Sequence, residues 1–303
     1  MKLKRYSKCL AAIALILAAA LLYGCSASLI TPPPLQIAGD TSVIAYIRAS
    51  NSQKALDWVT YRLQNVAATL AAQEGEVASI NALAGTRCET SPLVVYLLQE
   101  LAALYAGGAT GLTLVKPAPL DYLLEEEIAA DLNAIEIDPA GYVGVSTGTM
   151  LDLTQVYVGA ALDVAMAELV DRRVNSAMLA AEGVCICSSA PETGKKWTYI
   201  VPATQDEQLS PMQIQLTDAA AATHSEVGGE IVSATVIGKS AMVAQALAVT
   251  LTKLPLQEAF ALLEQHGAYG ALIDAQGIIH HSKQLNGQIE VTQVEGYTLR
   301  QKS

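Results

Sequence analysis

Residues 231–251 read IVSATVIGKSAMVAQALAVTL. The β-branched run predicts a strand over 230–238. The alanine-rich stretch after it predicts a helix over 240–254, and Pro255 opens a second helix ending near His266-Gly267. Downstream, YGALIDAQGIIHHS (269–282) predicts a hairpin. Upstream, strands are expected at 183–188, 197–202 and near 213–217, after a helix over 156–171. AIEIDPAGYVGVST (134–147) reads as two strands around a turn at Asp138–Gly141. Residues 118–132 suggest a short acidic helix. Ser91-Pro92 places an N-cap and an N1 proline before a helix that ends at Gly107-Gly108. Leu56, Val59, Leu63, Val66 and Leu70 recur at helical spacing behind Ser52, a candidate cap for a helix reaching about Gln73. A first strand is expected over 37–49. Helices and strands interleave without strict alternation, repeat or internal linker, which predicts one α+β domain over 36–303.

The N-terminus reads as an address. Lys2, Lys4, Arg5 and Lys8 precede an apolar run from Cys9 to Leu22, too short to span a bilayer as a helix. The run ends Leu22-Tyr23-Gly24-Cys25, which resembles a bacterial lipobox with Tyr23 in an unusual slot. The expectation is a lipoprotein signal peptide over 1–24, lipidation of Cys25, and a tether over 25–35 that contains Thr31-Pro32-Pro33-Pro34. An uncleaved anchor, or an ordinary signal with an incidental cysteine, is the other reading. Lipidation implies a protein of the bacterial cell envelope, held to a membrane on its periplasmic face by its lipid.

The chain has 303 residues, a formal net charge of −11, and 52% hydrophobic but 5% aromatic residues. Removing residues 1–24 takes away four of the 18 basic residues and none of the 29 acids, leaving a net of −15. Such a surface repels phosphate, so a nucleic-acid partner is not expected. The chain is too apolar for a disordered protein, and its five cysteines are too few for a disulfide scaffold.

Local motifs carry little chemistry. Cys185 and Cys187 share one face of a strand and read as buried thiols. A zinc site there would need further Cys or His ligands, which are not nearby in sequence. His280 and His281 face opposite sides at a strand end and read as surface or edge residues. His224 falls in an expected loop, and His266 near a helix C-terminus. GYVGVSTG fits neither a dinucleotide fingerprint nor a P-loop.

Several segments, in this order, resemble the ApbE family of FAD:protein FMN transferases. IAGDTSVIAYIRA (37–49) is similar to the family's opening strand after its Met-Gly-Thr. EGEVASINALAGTRCETSPLVVYLLQEL (74–101) resembles its serine–acid block and following helix. MLDLTQVYVGAALDVAMAEL (150–169) resembles its D-L-G-G-I-A-K-G-Y-A-x-D segment, and AAATHS (220–225) its A-T-S-G turn. Residues 231–251 resemble its strand-to-helix segment ending A-D-A-L-A-T-A-L.

The resemblance implies an α+β, T-fold-related domain of mixed sheets and helices that follows a lipoprotein signal peptide. It implies FAD and Mg²⁺ as cofactors, and a flavoprotein of a membrane redox complex as the partner that receives FMN on Thr or Ser. Carried over by position, Gly39, Asp152, Gly159, Thr223 and Ser225 would face the cofactor. Tyr157, Gln245 and Val249 stand at the positions of the family's Mg²⁺ contacts, without the family's side chains. The two glycines after Asp152-Leu153 are Thr154 and Gln155, and the family's lysine is Val158. Only five residues separate Ser225 from Ile231, so the family's H-I-I-D-P block is deleted. Mg²⁺ wants hard oxygen ligands, and FMN transfer needs a Lewis acid and a base. Losing these together points to an ApbE-like protein without Mg–FAD catalysis that binds flavin weakly or binds a partner. An active transferase with altered ligands is the alternative, and a structural or assembly lipoprotein the second.

Overall fold

The computed structural model describes residues 28–30, 34–38, 41–71, 75–118, 132–192, 194–203, 210–291 and 297–301. The signal peptide, Cys25, Gly39 and nearly all of the expected acidic helix lie outside these residues. The first strands are β1 (Ser28–Ile30), β2 (Leu35–Ala38) and β3 (Thr41–Ala49). β1 lies within the stretch read as a tether, yet it pairs antiparallel with the end of β3. Along β3, Val43, Ala45, Ile47 and Ala49 are buried at period two, as a strand with one face in the core requires.

Helix α1 (Ser52–Leu70) follows. Its cap is Asn51, whose side chain accepts the Lys54 N–H at 3.0 Å. Ser52, expected in that role, instead begins the helix and donates to the Ala49 carbonyl at 3.1 Å. Val59, Leu63, Val66 and Leu70 form its buried stripe. Then come α2 (Glu76–Ala82), β4 (Arg87–Glu89) and α3 (Pro92–Ala106). Pro92 takes N1 of α3 as expected, but the Ser91 hydroxyl makes no capping bond. Instead the Ser91 N–H donates to Glu76 Oε2 at 2.7 Å.

Strands β5 (Val115–Pro117), β6 (Ile135–Asp138), β7 (Tyr142–Val145) and β8 (Thr149–Leu151) make two small sheets, β4–β7–β6 and β5–β8. They lead into α4 (Tyr157–Asp171).

The second half holds β9 (Ser176–Ala181), β10 (Val184–Ser188), β11 (Trp197–Ile200), β12 (Met212–Leu216), β13 (Ala219–Ser225) and β14 (Ile231–Gly238). Helices α5 (Ala241–Leu251) and α6 (Leu256–Gln265) come next. The chain continues through β15 (Tyr269–Asp274), β16 (Ile278–His281), β17 (Ile289–Val291) and β18 (Thr298–Gln301).

A ten-stranded sheet runs β1–β3–β9–β10–β13–β14–β15–β16–β18, with β2 also on β3. Alternation sorts its side chains into two cores. Ile47, Leu179, Ile186, Ala222, Val236 and Leu272 face the helices. Met178, Cys185, Ala221, Ile237 and Ile273 face a three-stranded sheet, β11–β12–β17. The architecture is therefore α+β in three layers: helices, large sheet, small sheet.

β9 was not expected, and β13 replaces an expected loop. β13 is alanine-rich and poor in β-propensity, but β10 and β14 pair with it on both sides. β16 is not at the sheet edge, because β18 pairs parallel outside it. His280 and His281 are therefore enclosed, contrary to the surface reading. The His281 residue is 4% exposed, and His280 Nε2 lies 2.7 Å from Asp274 Oδ2.

Candidate functional site

The first N–H groups of a helix have no partner within it. Here two helices supply each other. On α4, Asp163 accepts from Ser240 Oγ at 2.7 Å, Ala241 N at 2.7 Å and Met242 N at 3.0 Å, capping α5. In return, Gln245 Oε1 on α5 accepts the Gly159 N–H at 2.8 Å, within the first turn of α4. Burial pushes the Asp163 pKa up, and the three donors offset only part of that rise.

The helices can exchange caps because they touch at Gly159. A Cβ added there would lie 2.6 Å from the Ala241 carbonyl carbon and oxygen and from Met242 Cα. Here the missing side chain serves the close approach of the two helices. Val249, one turn after Gln245, is 4% exposed and belongs to the helix-side core.

Around the start of α4 the remaining substitutions are also engaged. The Tyr157 hydroxyl lies 2.5 Å from Thr41 Oγ1 on β3. Gln155 Oε1 accepts the Thr113 N–H at 2.9 Å, and the Asp152 N–H donates to the Leu114 carbonyl at 2.9 Å. Asp152 Oδ1 accepts the Thr154 N–H at 2.9 Å, and Oδ2 pairs with Lys116. Burial pushes the Asp152 pKa up, but Lys116 and Thr154 outweigh it and hold the carboxyl below its ordinary range. Sequence reasoning missed Lys116 and the bonding of Gln155. The available signal was a lone cation within the apolar stretch Leu114-Val115-Lys116-Pro117.

Thr223 and Ser225 do not join this cluster. They lie on β13 with the parity of Ala219 and Ala221, so they face the small sheet, away from α4 and α5. Thr223 Oγ1 is 2.9 Å from both the Tyr199 hydroxyl and Thr235 Oγ1. Tyr199 donates to the Gly183 carbonyl at 2.5 Å, so the protons run Thr235, Thr223, Tyr199, Gly183. Ser225 Oγ donates to Ser233 Oγ at 3.1 Å. The expected cofactor set is thus divided by the large sheet.

Other titratable groups are quiet. Cys185 and Cys187 are buried and free, and burial pushes the Cys187 thiol up to about 11. His224 stands on β13, not in a loop, 3.9 Å from Glu226 Oε2. Burial lowers its pKa, Glu226 opposes that, and Lys253 adds to it. His266, at the C-terminal cap of α6, lies 3.0 Å from the Gly107 carbonyl oxygen.

The side chains at the two ligand positions on α5 do not fit a magnesium ion: Gln245 offers one neutral oxygen, already committed to Gly159, and Val249 offers methyls. No group of three or more His, Cys, Asp or Glu among the described residues is placed to hold a metal.

No protein-family model matches the chain. No curated protein matches it by sequence. Solved structures do match. The apo form of the Pseudomonas stutzeri flavinyl transferase ApbE superposes with a TM-score of 0.71 at 15% identity, covering 88% of this chain and 99% of that one. The flavin transferase ApbE from Vibrio cholerae gives 0.72 at 15% identity, covering 86% and 99%. The ApbE protein of Thermotoga maritima gives 0.71 at 16% identity, covering 87% and 99%. By its layers and the near-complete coverage of these chains, this protein has the fold of the ApbE flavin transferases.

Proposed function

We propose that this is a lipid-anchored cell-envelope protein that keeps the ApbE scaffold without Mg–FAD catalysis, and acts by binding a partner or, weakly, a flavin. One observation carries the reading: Gln245, at the resembled family's metal-ligand position, caps α4 through Gly159 at 2.8 Å. Phosphoryl transfer needs a charge clamp on the pyrophosphate. At the two matched positions on α5 this chain places an amide and a valine, each held by its own fold. The basic flank, the apolar run and Cys25 support the envelope location. The test is to incubate the mature protein with FAD, Mg²⁺ and a flavoprotein acceptor, and to look for acceptor-bound FMN by in-gel fluorescence. No labelling is expected. Metal-dependent labelling would establish the active transferase instead.

A further inference from the structure

The small sheet does not cover the whole second face of the large one. β11 is its edge strand among the described residues. Beyond that edge, Ile44 on β3 is 38% exposed, beside Tyr46 and Met178. Together the edge and this strip enclose a cleft of about 480 Å³.

The register of β11 says which backbone groups face the cleft. Val201 donates to the Met212 carbonyl at 3.1 Å, and Tyr199 stands opposite Ile214 in the same register. In an antiparallel ladder, alternate residues bond the neighbour and those between point away. The N–H and C=O groups of Thr198 and Ile200 therefore point outward, over the strip. Ile200 is itself 60% exposed.

We infer that this edge is a docking slot for an extended segment of another protein, which adds as a fourth strand to the small sheet. A strand added to β11 would sit about 4.8 Å from it, over Ile44 and Met178. Its alternate side chains would enter the cleft, so they should be aliphatic. Exposed Lys196 stands before β11, and exposed Glu182 lines the cleft. The segment should therefore carry an acid towards Lys196 and a cation towards Glu182. A second copy is disfavoured as occupant, because two mature chains, each with a net charge of −15 from 14 basic and 29 acidic residues, repel.

The probes are two capped hexapeptides, Asp-Val-Thr-Val-Thr-Lys and Lys-Val-Thr-Val-Thr-Asp, so that either strand direction can satisfy both charges. They are titrated into the mature protein while backbone amide exchange is followed by NMR. Saturable binding of one peptide should slow exchange at Thr198 and Ile200 at least about tenfold, leaving Tyr199 and Val201 unchanged. I200P removes an outward N–H and should abolish the protection of Thr198, the amide still readable in that variant, whereas I200T should retain protection at both positions. I44K alters the floor at an exposed position and should weaken binding about tenfold. Several results would overturn the proposal. Failure of both peptides to saturate at millimolar concentration is one, and I200P binding as wild type does is another. Slow exchange at both amides in the free monomer would mean the chain covers its own edge. Protection that grows with protein concentration alone would make the occupant a second copy.

Discussion

Replacing Gln245 by methionine tests the exchange of caps between α4 and α5. Methionine keeps the length and helix propensity of glutamine, so the change removes one acceptor and little else. The Gly159 N–H, now bonded at 2.8 Å, would be left in a partly buried helix start. An orphaned donor of this kind costs about 1–3 kcal/mol, and a lost cap about 0.5–2. Added apolar burial by methionine returns a fraction of that. The expected loss is about 1–2 kcal/mol, or roughly 2–4 °C in Tm for a domain of this size. Thermal and urea unfolding of Q245M beside Q245E would measure it. Glutamate keeps the acceptor and adds a charge favoured at a helix N-terminus, so Q245E should melt near or above wild type at pH 7. If Q245M melted at or above wild type, Gln245 would not be capping α4, and the structural account of its position would fail.

Two further predictions follow from the same contacts. G159A should destabilise by about 1–3 kcal/mol in urea unfolding, because crowding against Ala241 and Met242 exceeds the roughly 1 kcal/mol alanine gains in a helix. The Asp152 carboxyl has a folded pKa below its unfolded value, so its contribution is full above the ordinary carboxylate range and is lost as pH falls through the folded value. K116M should therefore destabilise by under about 1 kcal/mol at pH 7, since Lys116 is half exposed, with the difference shrinking in acid unfolding as pH falls below the ordinary carboxylate range.

The elements that could be read from sequence are those whose signals are local. Pro92 starts α3, Asp138–Gly141 turns β6 into β7, and the β-branched run of β14 hands over to α5 within three residues. β9 and β13 escaped because Ser176–Ala181 and Ala219–Ser225 have neither alternation nor β-propensity, and their strand state comes from neighbours on both sides. The enclosure of His280 and His281 depends on β18, which pairs from beyond a connection in the chain.

The site divides in the same way. That Gln245 and Val249 are poor magnesium ligands is a matter of residue type, visible in the sequence. What they do instead is not, because the partners of Gln245 and Tyr157 are distant in the chain and meet them only when α4 packs on α5 and β3. For Thr223 and Ser225 the sequence shows no strand; once β13 is a strand, parity alone places them on the face turned from α4 and α5.

On the proposed reading, Gln245 serves as a helix cap where the resembled family holds its metal. The measurement closest to it is the melting temperature of the mature protein with FAD as Mg²⁺, and then Mn²⁺, is titrated to millimolar concentration. A ligand that binds only the folded state raises Tm with its concentration. Tm with FAD should stay the same at every metal concentration. A metal-dependent rise that requires FAD and disappears in Q245M would contradict it.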